Sequence, residues 1–137
     1  MATAALRTSP TTYAHLARDA AEGRVGGTCV VTAGDGRALY FSKRLVPYLP
    51  ADHPAPHTVL KLHLGLYAYR PDALGWYAAQ PPSPLEDLEG LEQLRFLEGA
   101  APVRVVVHDP VGWDCIELNN PQDVPAIEAI LAQRGID

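Results

Sequence analysis

Val59 to Tyr69 alternates, with Leu62, Leu64, Leu66 and Ala68 on one side and Lys61, His63, Gly65, Tyr67 and Tyr69 on the other. The leucines mark the core side. The opposite side carries an imidazole and phenols, groups suited to recognising hydroxyls and carboxylates. His63 and Tyr67 lie four residues apart, roughly 13 Å in an extended strand, so both can line one groove without touching. Winding residues 85–97 as a helix places Leu85, Leu88, Leu91 and Leu94 on an apolar arc, with Glu92 between Leu85 and Leu88 and Arg95 close by. A carboxylate on the buried side has two readings. It is either a structural partner of Arg95 at i,i+3 or an acceptor facing a polar pocket.

The remaining chemistry-bearing residues carry less. His53 and His57 sit in a Pro-rich loop, where helical i,i+4 metal geometry does not form. Asp109 and Asp114 flank Gly112-Trp113 as turn acids. There is no GxSxG elbow, and Arg24-Val25-Gly26-Gly27-Thr28 lacks the spacing and lysine of a phosphate loop. Cys29 and Cys115, outside any CxxC spacing, are expected to be small buried strand residues.

At 137 residues the chain fits one domain, and 47% hydrophobic with 20% charged residues is the composition of a globular protein. With a net charge of −5 and no basic cluster beyond Lys43-Arg44, it is not expected to bind nucleic acid. The N-terminus has no basic leader, and no apolar run approaches the roughly 18 residues of a membrane span. A cytoplasmic, membrane-free protein is expected.

These groups need elements to position them. Residues 2–7 suit an edge strand or frayed arm. Ser9-Pro10-Thr11 starts a helix that stops near Gly23. Thr28–Thr32 and Ala38–Ser42 flank Gly34-Asp35-Gly36 as a β-hairpin. Four prolines make Lys43 to His57 a long loop. Pro71-Asp72 opens a short helix, and Ser83-Pro84-Leu85-Glu86 is a capping box for a helix expected to run to about Glu98. Val103–His108 and Cys115–Leu118 read as strands. Asn120-Pro121-Gln122-Asp123 caps a last helix with Val124, Ile127 and Leu131 as its apolar stripe, ended by Gly135.

ALYFSKRLVP, LHLGLYAYRPDAL and PPSPLEDLEGLEQLRFLE occur in this order. Together they resemble the sugar-acid half of the 3-deoxy-manno-octulosonate (Kdo) cytidylyltransferases, or CMP-Kdo synthetases. The resemblance spans roughly residues 28–131. It implies an α+β fold with a mixed β-sheet packed with helices, a homodimer, and a reaction in which the sugar's anomeric hydroxyl attacks the α-phosphorus of CTP at a magnesium site. It also implies that His63, Tyr67, Glu92 and Gln93 contact the sugar acid. Lys43 stands where the family usually has Arg, and neighbouring Arg44 is a substitute for it.

The family's Arg- and Lys-bearing phosphate loop and its first acidic motif lie upstream of Met1 by this alignment. Where its second magnesium aspartate is expected, this chain has Asn119, a neutral ligand at best. The resulting expectation is a truncated or split cytidylyltransferase-like protein with no cofactor of its own, completed by a separate nucleotide-binding chain. The alternatives are a small enzyme or binding protein for another polar acid, and a non-catalytic dimeric scaffold with Tyr67, Tyr69 and Trp76 at its interface.

Overall fold

The computed structural model describes residues 1–110 and 112–136. It contains β1 (Ala2–Arg7), α1 (Pro10–Ala21), β2 (Cys29–Thr32), β3 (Ala38–Ser42), β4 (Lys61–Ala68), α2 (Pro71–Ala79), α3 (Pro84–Glu89), α4 (Gln93–Glu98), β5 (Arg104–His108) and α5 (Val124–Gln133). The strands form one mixed sheet in the order β3-β2-β4-β1-β5. β1 runs antiparallel to β4 and parallel to β5. The architecture is α+β, as expected.

Local signals account for much of this. Ser9 caps α1 by accepting the Thr12 N–H at 3.0 Å, with Pro10 in the first turn. The hairpin closes through Gly36, whose φ of 83° is a left-handed value that favours glycine. Cys29 and Val30, adjacent on β2, join different clusters, so both faces of the sheet are packed. On one face Leu16 of α1 meets Cys29, Leu60 and Leu62. On the other, Leu91, Leu94 and Phe96 cover Ala5, Val30, Phe41 and Val105.

Several expectations are corrected. β1 is neither an edge nor a frayed arm; it lies inside the sheet, because both partners arrive from distant parts of the chain. The 83–98 helix is two helices. Gly90 adopts φ 62°, and the N–H groups of Gly90 and Leu91 both return to Glu86 O, at 2.7 and 3.3 Å, ending α3 as a left-handed cap does.

Cys115–Leu118 is not a strand. Its backbone is tied to α1 instead, since the Thr12 hydroxyl bridges Cys115 N and O at 3.3 and 3.2 Å. Cys115 is therefore a half-buried loop residue. Only the first part of the β4 leucine row is core, since Leu62 is 1% exposed and Leu66 67%. α1 covers one end of that face and leaves the other bare. No residue of α5 is fully buried, and of its expected apolar stripe Ile127 and Leu131 are half-buried while Val124 is exposed.

Candidate functional site

β4 and the start of α4 build a polar cluster on the α3/α4 side of the sheet. His63 is 4% exposed and packs edge-on against Phe41 at 5.1 Å between ring centres. Its Nε2 is 2.8 Å from the Thr3 hydroxyl, which also reaches Leu66 O at 2.9 Å and Leu64 O at 3.3 Å. A hydroxyl has one hydrogen. With that hydrogen on the carbonyls, Thr3 accepts from His63 Nε2–H, and Nδ1 is left as an acceptor.

The His63 and Tyr67 rings lie 5.5 Å apart, not on the 13 Å spacing of a regular strand. Thr3 pairs with Tyr67 whereas Ala4 pairs with Leu64, so two extra residues, Gly65 and Leu66, bulge out of β4 and shorten it locally. The Tyr67 hydroxyl donates to Gln93 Oε1 at 3.2 Å. Gln93 is fully buried, and its Nε2 has no hydrogen-bond partner among the described residues.

Glu92 flanks the same cluster, and its charge acts on the His63, Tyr67 and Tyr69 rings. Burial pushes His63 below the ordinary histidine value, with Glu92 partly opposing it. Burial and then Glu92 push Tyr67 and Tyr69 up. The site thus offers a neutral imidazole acceptor, a carboxylate, a protonated phenol and a free amide donor. That set matches a ligand rich in hydroxyls.

Glu92 is not the partner of Arg95. The helix break turns Arg95 toward Glu86, which it grips with two bonds of 2.6 and 2.7 Å while stacking on Tyr77 at 3.9 Å. Of the two readings open for Glu92, the Arg95 pair is removed. Tyr69 and Trp76 pack at a tilt against Phe96, with ring centres 6.0 and 5.2 Å apart, so they are engaged inside the domain.

Lys43 and Arg44 line a different space, an open groove of about 380 Å³ shared with Arg24, Tyr40 and Glu89. Glu89 anchors it, accepting from Ser42 Oγ at 2.7 Å, Lys43 N at 2.9 Å and Tyr40 OH at 3.3 Å. A side chain at Gly90 would meet Lys43 Nζ at 2.9 Å, so this glycine both ends α3 and admits the lysine. Neither cation bonds to the His63 cluster among the described residues. Glu89 and Arg24 were not legible as site residues, because their partners come from another element.

A cytidylyltransferase family model matches residues 24–103. The chain belongs to the cytidylyltransferase family. Among its relatives, the 3-deoxy-manno-octulosonate cytidylyltransferase of Maricaulis maris is 40% identical over 98% of this chain and 51% of its own length. The enzyme of the same name from Acidobacterium capsulatum is 44% identical over 77% of this chain and 41% of its own length. A solved CMP:2-keto-3-deoxy-manno-octonic acid synthetase, complexed with CTP, superposes with a TM-score of 0.64 at 28% identity, covering 97% of this chain and 49% of that one. The chain spans about half the length of the curated relatives it matches.

Asn119 stands where the family resemblance implies a magnesium ligand. Its Nδ2 donates to Gly26 O at 3.2 Å and approaches Glu117 at 3.4 Å, and its backbone N–H goes to Asp123. Burial pushes Glu117 up, with Asn119 lowering it. A neutral amide beside an acid that resists ionising is a poor donor set for magnesium, which takes ionised carboxylates. No helix among the described residues is long and apolar enough to cross a membrane.

Proposed function

We propose that this cytidylyltransferase-like chain binds a polyhydroxylated sugar acid of the Kdo class between β4 and the start of α4, and supplies it to a nucleotide bound by another polypeptide segment. The orphaned Gln93 Nε2 carries this reading. A fully buried amide donor without a partner costs about 1–3 kcal/mol, a cost that a ligand hydroxyl or carboxylate would remove. Around it, His63 Nδ1 and the Glu92 carboxylate accept from hydroxyls, and the Tyr67 phenol orients the amide. Lys43 and Arg44, with Arg24, form a neighbouring cationic groove suited to a carboxylate or phosphate at the outer end of the ligand.

The sequence carries no glycine- and lysine-bearing phosphate-loop motif for a triphosphate, and the Lys43, Arg44 and Arg24 groove shares its space with Glu89, so charge developing on CTP is left largely uncompensated by it. The partner in this reading is therefore a separate nucleotide-binding chain, alongside a second copy of this one. Neither nucleic acid nor a membrane enters it.

Calorimetric titration of the 137-residue chain with Kdo, paired with a pyrophosphate-release assay in CTP, Kdo and magnesium, tests both halves. Saturable Kdo binding without turnover is the expected result. Absent binding refutes the pocket, and turnover on the order of 1 per second refutes the need for a second segment.

A further inference from the structure

A second buried cluster lies on α1 and the 3-10 turn Pro121–Asp123 that leads into α5. His15 and Asp19 are four residues apart on α1 and so share a face. Asp123 joins them from the turn. The three are 5%, 1% and 0% exposed. His15 Nε2 is 3.4 Å from Asp19 Oδ2 and 3.2 Å from Asp123 Oδ1, and the three atoms lie within 4.8 Å of one another.

The direction of these contacts matters more than their length. Neither His15 Nε2 nor Asp123 Oδ1 has a hydrogen-bond partner among the described residues, although the two are close enough for one. The oxygens flank the axis of the ring nitrogen instead of lying on it. Bonds of about 2.0–2.1 Å in a tetrahedron put neighbouring donor atoms about 3.3 Å apart, and the two separations from His15 Nε2 match that spacing. The other oxygen of each acid is held from behind. Asp19 Oδ1 accepts from Arg24 at 3.1 and 2.5 Å, and Asp123 Oδ2 accepts from the N–H groups of Asn119 and Asn120 at 2.9 and 2.6 Å. Gly26 closes the site, since a Cβ there would sit 2.8 Å from Asp19 Oδ2.

We propose that His15 Nε2, Asp19 Oδ2 and Asp123 Oδ1 bind one divalent transition-metal ion of the zinc class. One imidazole with two carboxylates favours such an ion over magnesium, and the two acids balance its charge. The ion pins α1 to the turn that starts α5, a helix with no buried residue of its own. Arg18 regulates loading. Its guanidinium lies 2.9 Å from His15 Nδ1, which favours the proton on Nε2, where the ion must go. Exposed Arg18 turns away on loading, Nδ1 takes up a proton, and the Nε2 proton leaves to solvent.

The experiment is a titration of the tag-free, chelator-treated chain with Co²⁺, then Zn²⁺, read by visible absorption, melting temperature and imidazole ¹⁵N spectra. Expected are one equivalent of Co²⁺ displaced by Zn²⁺, a raised melting temperature, and a His15 signal with metal on Nε2 and the proton on Nδ1. Arg18→Ala tightens binding, and His15→Ala weakens it by at least about tenfold. Absence of a stoichiometric ion overturns the proposal, as does binding unchanged in His15→Ala. Should that variant not fold, a wild-type His15 that keeps its Nε2 proton under saturating zinc overturns it equally.

Discussion

Replacing Gln93 by Met keeps the shape of a fully buried side chain and removes its amide. In the unliganded protein two effects oppose each other. The orphaned Nε2 disappears, relieving about 1–3 kcal/mol of desolvation penalty, while the bond from Tyr67 OH to Oε1 is lost at a net cost of about 0.5–1.5 kcal/mol. That bond is long at 3.2 Å, and Tyr67 is only half-buried, so its hydroxyl can turn to Glu92 or to solvent. The balance is a stabilisation of about 1 kcal/mol, or a melting temperature higher by about 3–6 °C for a domain of this size. Binding moves the other way. If the amide donates to a sugar carboxylate, losing it costs about 1.5–3 kcal/mol, which is about 10- to 150-fold in affinity. Thermal melts and calorimetry with Kdo on the same preparations measure both numbers. A Gln93→Met protein that melts several degrees lower and binds as before would refute the reasoning, for the amide would then be a satisfied structural group.

Four further outcomes are expected. Glu86→Gln should lower the melting temperature by about 5 °C or more, because it leaves a largely buried guanidinium without its anion, whereas Glu92→Gln should change it by less than about 2 °C; equal losses would restore the Glu92–Arg95 pair. Arg95 holds Glu86 below the ordinary glutamate value, so this stabilisation is complete above that value and fades as pH falls through the depressed one, as acid titration of the melting temperature in wild type and Glu86→Gln will show. Burial pushes Cys29 up to about 11, so at pH 8 a maleimide should label half-buried Cys115 first and Cys29 only after unfolding, with prompt double labelling as the contrary result. The bare end of the sheet, where Leu66 and Val106 are 67% and 49% exposed, should hold a second copy, so light scattering should give twice 14.8 kDa and Leu66→Lys should halve it; a wild-type mass near 14.8 kDa rejects the dimer.

The parts of the fold that were legible are those whose cause is local. Ser9-Pro10 and the glycines of the hairpin act within a turn of chain, and they position α1, β2 and β3 as read. His63, Tyr67, Glu92 and Gln93 lie near one another in the fold, while their contact with a sugar acid is the proposal made above. What stayed hidden depends on distant partners. An apolar arc through Leu85, Leu88, Leu91 and Leu94 fits one helix as well as two, and only the left-handed backbone taken up by Gly90 decides between them. The spacing of His63 and Tyr67 was misjudged because a bulge leaves no mark in an alternating pattern. Its cause is the Thr3 hydroxyl, on a strand that the local sequence presents as an arm. His15, Asp19 and Asp123 were passed over for the same reason: the turn that completes them is remote from α1 along the chain.

The central position of β1 has a consequence for how the protein reaches this state. Thr3 bonds to His63 across 60 residues of chain, and Met1 reaches Pro102 across 101. The strand therefore waits for β4 and then β5 before it has neighbours on both sides. Loop closures of that length carry an entropic cost ahead of any reward, which slows folding and leaves β1 unpaired until the later strands arrive. Since Thr3 also fixes the bulge that joins His63 to Tyr67, the ligand groups can take their final places only in this late step. Acquisition of binding during refolding should accordingly trail the formation of α1 and the β2-β3 hairpin.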